Sequence, residues 1–232
     1  MMKDLLKVGD GFNIHGEPFS CKAFGTGHIH ETYLLESGDR NKPHRYILQY
    51  LNINVFKKPE AVQDNIFRIL EYLKELPEKD PDFYDLEIVE THNEKSLFFD
   101  SSGNHWRCFK YIEDSYTPEK VDDPEYAFEG GRSYGVFATR LKDYNPRRLH
   151  ITIPHFMDSE HRTKQLAYAE FTNPGNRLKE AQPELKRLKN LAEISQRFAR
   201  ISSALPDRVV HNDAKISNVL FKNGTKKGIC VI

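Results

Sequence analysis

The segment of the sequence best suited to chemistry runs Val209-Val210-His211-Asn212-Asp213-Ala214-Lys215-Ile216-Ser217-Asn218-Val219-Leu220-Phe221. It reads H-x-D-x-x-x-x-N and then an apolar strand. Phosphoryl transfer to a hydroxyl needs a carboxylate that orients the attacking oxygen and accepts its proton, with an amide oxygen nearby to hold a magnesium ion. A loop carrying Asp213 and Asn218 at this spacing supplies both, Asp213 as the base and Asn218 as the metal ligand. An isolated H-x-D more often caps a turn. Here the spacing, the apolar flanks and the long helical pattern before them favour chemistry.

A second feature is the turn Gly25-Thr26-Gly27 between two apolar stretches, Pro18 to Phe24 and Thr32 to Leu35, which predict a β-hairpin. Glycines at such a tip let backbone N–H groups come close to an anionic ligand, although a G-x-G alone also fits an ordinary hairpin turn. A strand over Tyr46 to Leu51 follows, then a helix from Pro59 with Val62, Ile66, Ile69, Leu70 and Leu73 on one face. Strands around Leu86 to Thr91, Ser96 to Asp100 and, after the turn Ser101-Ser102-Gly103-Asn104, Trp106 to Ile112 complete an antiparallel sheet of about five strands with one helix. Beyond Asp114 the apolar spacing becomes helical, as at Tyr134, Phe137, Ala138 and Leu141. The longest helix is predicted from Pro183 to near Pro206, its stripe Leu185, Leu188, Leu191, Ile194, Phe198 and Ile201 forming core. The expected organisation is α+β in two lobes: residues 1–108, a hinge at 109–114, and a mainly helical lobe at 115–232.

Composition narrows the function classes. With 34 Lys plus Arg against 34 Asp plus Glu there is no overall positive field for nucleic acid or anionic lipid. No stretch approaches the ~20 apolar residues of a membrane span, and charges interrupt the N-terminal segment where a signal peptide would be apolar. A cytoplasmic protein without nucleic-acid or membrane partners is expected. Cys21, Cys108 and Cys230 form neither a disulfide framework nor a zinc knuckle. His28 and His30 lack a third ligand placed by the sequence, so a metal pair there is improbable.

The His211-Asn212-Asp213 motif resembles that of the aminoglycoside/choline kinase-like phosphotransferase family, whose two lobes around a nucleotide cleft are similar to those of protein kinases. Four further segments are similar to the N-acetylhexosamine 1-kinase branch: Gly25 to Leu34, Tyr46 to Gln49, Trp106 to Glu113, and His155 to Arg162. The resemblance implies ATP and Mg²⁺ as cofactors. It implies nucleotide contacts at Gly25, Gly27, His28 and Gln49 and at the hinge backbone of Lys110, Tyr111 and Ile112, with His211 and Asp213 catalytic and Asn218 on the metal. The implied activity is phosphorylation of a sugar hydroxyl, the anomeric one of an N-acetylhexosamine; kinases of choline, aminoglycosides or homoserine share the core motif. A nucleotide-binding module without activity is a further alternative.

Two departures stand out. Gln49 occupies the third-strand position where protein kinases carry a lysine, so neither a charge on the phosphates nor an ion pair to Glu60 or Asp64 is expected there. Met157 interrupts the His-Phe-His-Asp pattern of the branch; Asp158, His161 and Arg162 remain as sugar-binding candidates, with Asp158 alternatively capping a helix. No C/S-x-P-x-R occurs, which excludes the formylglycine sulfatase chemistry suggested by the mucin-desulfating label carried by some relatives of the branch. In the family an Asp-x-Asp metal segment follows a strand such as Gly228 to Ile232. A C-terminally truncated chain is therefore expected, inactive by itself and prone to self-association through the apolar faces of Leu185 to Ile201 and Val219 to Phe221.

Overall fold

The computed structural model describes residues 2–25, 29–77, 80–118 and 120–232. The chain enters as a helix, α1 (Met2–Asp10), which the charged opening of the sequence does not announce. Strands β1 (Pro18–Ala23), β2 (Glu31–Asp39) and β3 (Lys42–Tyr50) then form an antiparallel meander. Helix α2 (Pro59–Glu75) starts on the predicted Pro59, where a missing N–H is harmless, and stops at Leu76, which the following proline holds in an extended conformation. Three strands follow: β4 (Ile88–Val89), β5 (Phe98–Phe99) and β6 (His105–Lys110). The sheet has six strands, not five, in the order β1-β2-β3-β6-β4 with β5 also on β6. The 86–91 and 96–100 strands are shorter than their sequence patterns suggest.

One face of this sheet meets α1. Val8 and Phe12 pack there against Leu35, Leu48, Trp106 and Cys108, all buried. Residues of opposite parity on the same strands point to the other face, since side chains alternate along a strand. On that face Thr32 pairs with Gln49 across β2 and β3, and Gln49 with Arg107 across β3 and β6.

The predicted turn between β5 and β6 is held by Asp100. Its Oδ1 accepts the N–H groups of Ser102 (2.8 Å) and Asn104 (3.0 Å), and its Oδ2 accepts Asn104 Nδ2 (2.9 Å) and Trp106 Nε1 (3.0 Å). Burial alone would raise the Asp100 carboxyl, but these bonds outweigh it and pull it from the ordinary 3.8 to about 2. A carboxyl depressed in the folded state gives stability that is complete above its unfolded pKa and lost as pH falls through its folded one. Urea unfolding from pH 5 to pH 2 is therefore expected to show the stability advantage of the native protein over Asp100→Asn shrinking steadily below pH 4. A gap independent of pH over that range would contradict the role.

Past β6 the chain changes sheets. Strand β7 (Ser115–Tyr116) pairs with β8 (Val219–Lys222), which pairs with β9 (Gly228–Val231). Helix α3 (Pro124–Arg140) begins at Asp123, whose side chain accepts the Glu125 N–H, and has Pro124 in its first turn. It lies against β9: Arg132 donates to the Gly228 carbonyl, and Glu129 accepts the Gly228 N–H. A second core joins the far half of α2 to the segment before the H-x-D loop, with Leu73, Leu141 and Tyr144 buried and Phe137, Leu149 and Val209 packed against them. All these elements belong to one compact unit, residues 1–152 and 208–232.

Residues 153–207 form the other unit. It contains α4 (Ser159–Thr172), α5 (Gln182–Asn190) and α6 (Ala192–Ser203). The single helix predicted from Pro183 is thus two, divided at Leu191, where the backbone tightens to bond the Leu188 carbonyl. Nor is its stripe core: Leu185 is buried, but Leu188, Leu191, Ile194, Phe198 and Ile201 are exposed. An apolar stripe is buried only where another apolar face meets it, and α4 turns Tyr168 and Phe171 to solvent instead. By contrast Val219 and Phe221, expected to share that exposure, are fully buried under α3 and β9. No helix among the described residues is long and apolar enough to cross a membrane.

Candidate active site

The loop between Val209 and β8 is a tightly bonded unit. Asn212 takes a left-handed conformation (φ 64°), which an Asn tolerates, and turns the chain so that His211 and Asp213 bracket it. His211 is fixed from three sides. Its Nε2 donates to the Ile232 carbonyl (2.9 Å), its Nδ1 accepts the Asp213 N–H (3.3 Å), and Tyr134 and Phe137 of α3 present their rings edge-on. His211 is thus bonded on one side to the end of β9 and on the other to the backbone of Asp213.

Asn218 closes the loop. Its Nδ2 donates both to the Asp213 carbonyl and to Asp213 Oδ2, each at 2.9 Å, while its backbone carbonyl accepts the Ile232 N–H (2.9 Å). Lys215 Nζ stands 3.0 Å from Asp213 Oδ2. The bonds from Lys215 and then Asn218 hold the Asp213 carboxyl below the usual carboxylate range. Tyr134 Oη accepts the Lys215 N–H and donates to its carbonyl, tying the loop to α3. The result is an ionised, half-exposed carboxylate in a fixed place, suited to orienting a hydroxyl and taking its proton.

Phosphoryl transfer calls for a divalent cation on the phosphates. With its nitrogen turned to Asp213, Asn218 has one neutral oxygen left to give, whereas Mg²⁺ wants octahedral oxygen ligation anchored by carboxylates. Among the described residues no three His, Cys, Asp or Glu side chains converge on a point. The described residues do not by themselves make a magnesium site.

At the other candidate region, Gly25 has φ 75°, the conformation a glycine turn needs. Gly27 and His28 lie outside the described residues. Beside Gly25 is a cavity of about 430 Å³ lined also by His30, Thr32 and Tyr50, among others. His30 Nδ1 accepts the Asn52 N–H (3.2 Å) and its ring stacks on Phe56. Burial and then the charge of Arg107 push His30 down to about 4, so the ring is neutral and its Nε2 is the protonated nitrogen. Gln49 does not reach a carboxylate: Nε2 donates to Thr32 Oγ1 (3.0 Å) and Oε1 accepts Arg107 Nε (2.9 Å). The α2 acids are engaged elsewhere, Glu60 with His105 and Asp64 with Arg68 and His150.

In the segment expected to form the hinge, the N–H groups of Lys110 and Tyr111 are used by the carbonyls of Glu87 and Arg45, and the Lys110 ammonium pairs with Glu87. Among the described residues the Ile112 N–H meets no acceptor, which leaves it the one N–H of these three free for a ligand edge. Asp158, His161 and Arg162 belong to the other unit. Asp158 caps α4, accepting the His161 N–H (2.8 Å), and pairs with His155 (2.9 Å); His161 stacks on His155, and Arg162 donates to Gln165. The capping alternative for Asp158 is what forms. Sequence reasoning passed over Lys215, Tyr134 and Arg107. Lys215 was visible inside the motif, and Arg107 as a charge within an apolar strand, but the contact of Tyr134 with the loop needs the fold.

These features define a kinase-like fold that joins an antiparallel sheet to helices. Residues 20–232 match the model of the phosphotransferase enzyme family, APH, and the chain belongs to that family. A crystal structure of spectinomycin phosphotransferase, APH(9)-Ia, in complex with ADP and spectinomycin superposes with a TM-score of 0.63 over 100% of this chain and 68% of that one, at 13% identity. An aminoglycoside phosphotransferase from Alicyclobacillus acidocaldarius gives a TM-score of 0.60 over 97% of this chain and 64% of that one, also at 13% identity. The chain thus spans about two thirds of the length of these structures.

Proposed function

We propose that the protein carrying this chain transfers the γ-phosphoryl group of ATP to a sugar hydroxyl, the anomeric hydroxyl of an N-acetylhexosamine. The observation that carries the reading is Asp213, an ionised carboxylate clamped by Lys215 and Asn218 in a loop braced by His211. The family supports phosphoryl transfer as the reaction. Support for a nucleotide and a small acceptor as ligands comes from the ADP and spectinomycin held by a structural neighbour. The hexosamine rests on the sequence resemblance of residues 25–34, 46–49, 106–113 and 155–162.

On this reading the acceptor hydroxyl donates its hydrogen bond to Asp213, which takes the proton as the oxygen–phosphorus bond forms, while the bond from the γ-phosphorus to its bridging oxygen breaks and ADP leaves with that electron pair. The transition state is loose, so the proton is transferred late and a weakly basic carboxylate suffices. Lys215 keeps that carboxylate ionised. The cavity beside Gly25 receives the phosphates, with the Ile112 N–H at the adenine edge. Radiolabelled ATP offered with N-acetylglucosamine, N-acetylgalactosamine, spectinomycin, choline and homoserine tests the proposal. Label is expected on the N-acetylhexosamines in alkali-stable, acid-labile form, the behaviour of a sugar 1-phosphate. Label on another acceptor alone, or on none, would overturn it.

A further inference from the structure

Arg107 is the one strongly basic side chain sunk into the six-stranded sheet, 8% exposed. Its Nε is bonded to Gln49, but Nη1 is buried without any partner. Burial alone governs its titration, pushing it down to about 10, and no carboxylate among the described residues offsets its charge. A desolvated guanidinium with no counterion is costly, and only the Gln49 bond and the Phe109 ring, 5.3 Å below its central carbon, offset part of that cost. No acid of helix α2 relieves it: Glu60 and Asp64 serve His105 and Arg68, and of the residues the helix buries, Pro59, Gln63 and Leu73, Gln63 is an amide with both polar atoms unpartnered.

The position of this charge is informative. Thr32, Gln49 and Arg107 stand side by side on adjacent strands, linked Thr32 Oγ1 to Gln49 Nε2 and Gln49 Oε1 to Arg107 Nε. Thr32 and His30 line the cavity next to Gly25, and the charge of Arg107 is felt at His30. Gln49, at the third-strand position, orients the guanidinium of the neighbouring strand through Nε, and Nη1 is left buried without a partner.

We propose that Arg107 is the phosphate-binding cation of this protein, its Nη1 taking an oxygen of a nucleotide diphosphate seated in the cavity beside Gly25. This rests on the nucleotide reading above. The anion supplies the counterion that the free protein lacks, so the charge costs stability without ligand and contributes affinity with it. An arginine suits the site better than a lysine because its fork can bond Gln49 and phosphate together.

Calorimetric titration of ADP and of adenosine into the native protein, Arg107→Met and Arg107→Lys provides the test. Arg107→Met is expected to weaken ADP by at least ~30-fold, the loss typical of removing one partner of a desolvated charge pair, and to leave adenosine binding unchanged. Arg107→Lys, which keeps the charge, is expected to retain most of the ADP affinity. Should the Met variant not fold, Arg107→Gln is read in its place. Native-like ADP affinity in the Met or Gln variant, or an equal loss of ADP and adenosine, would overturn the assignment while leaving the nucleotide reading intact. Binding of neither ligand by the native protein would instead bring down the nucleotide reading on which this inference rests.

Discussion

Asp213→Asn is expected to lower kcat by ~10²–10⁴-fold, the usual loss for a general base, with the affinity for ATP nearly unchanged. The substitution is close to isosteric, so Asn218 and Lys215 keep a polar neighbour and the loop keeps its shape. What disappears is the anionic acceptor. Steady-state rates measured alongside ATP binding separate the two quantities, and turnover at the native rate would remove Asp213 from the chemistry. The same substitution is expected to free Lys215 from its ion pair, so a modest rise in affinity for phosphorylated product is compatible with the account.

The largest effect on stability is expected at Phe221. It is wholly buried in the three-stranded sheet, edge-on to Tyr126 at 5.3 Å and tilted against Tyr116 at 6.1 Å. Phe221→Ala removes this contact surface and leaves a cavity that β8 cannot close, because Leu220 and Lys222 flank it in a paired strand. The expected cost is ~3–5 kcal/mol, a large share of the ~5–15 kcal/mol that holds a protein of this kind together. Because β8 leads directly out of the Asn218 turn, activity is expected to fall with stability. Phe128→Ala is the control, since that ring is 70% exposed and its loss is expected to stay within ~0.5 kcal/mol. Equal melting temperatures for the native protein and Phe221→Ala would refute the packing argument.

Much of this architecture could be read from local signals. Alternation marked β1, β2, β3 and β6, Pro59 marked the start of α2, and the H-x-D-x-x-x-x-N spacing marked the loop that does form around Asp213 and Asn218. The failures have a common physical origin. Whether the Leu188 to Ile201 stripe is covered depends on what meets it, and helical spacing carries no information about a partner surface. The division at Leu191 is a single tightened turn that periodicity does not register. Arg107 stands out in the sequence as a charge within an apolar strand, but what it does there does not. Its meaning depends on the register that sets it against Gln49, 58 residues earlier, and register between non-adjacent strands is a tertiary property. Asp158 shows the reverse case, a capping pattern legible from its spacing to Glu160 and met in the fold.

The central claim is that the Gly25 turn and the Asp213 loop, both within the 1–152 and 208–232 unit, serve one nucleotide. Hydrogen exchange in the presence and absence of ADP tests it most directly. The account predicts slowed exchange at three separated segments together, residues 25–34, the Ile112 N–H and residues 215–218, with the β4–β5 region unaffected. Protection confined to a single one of these segments, or appearing only around Thr91 to Phe99, would contradict it.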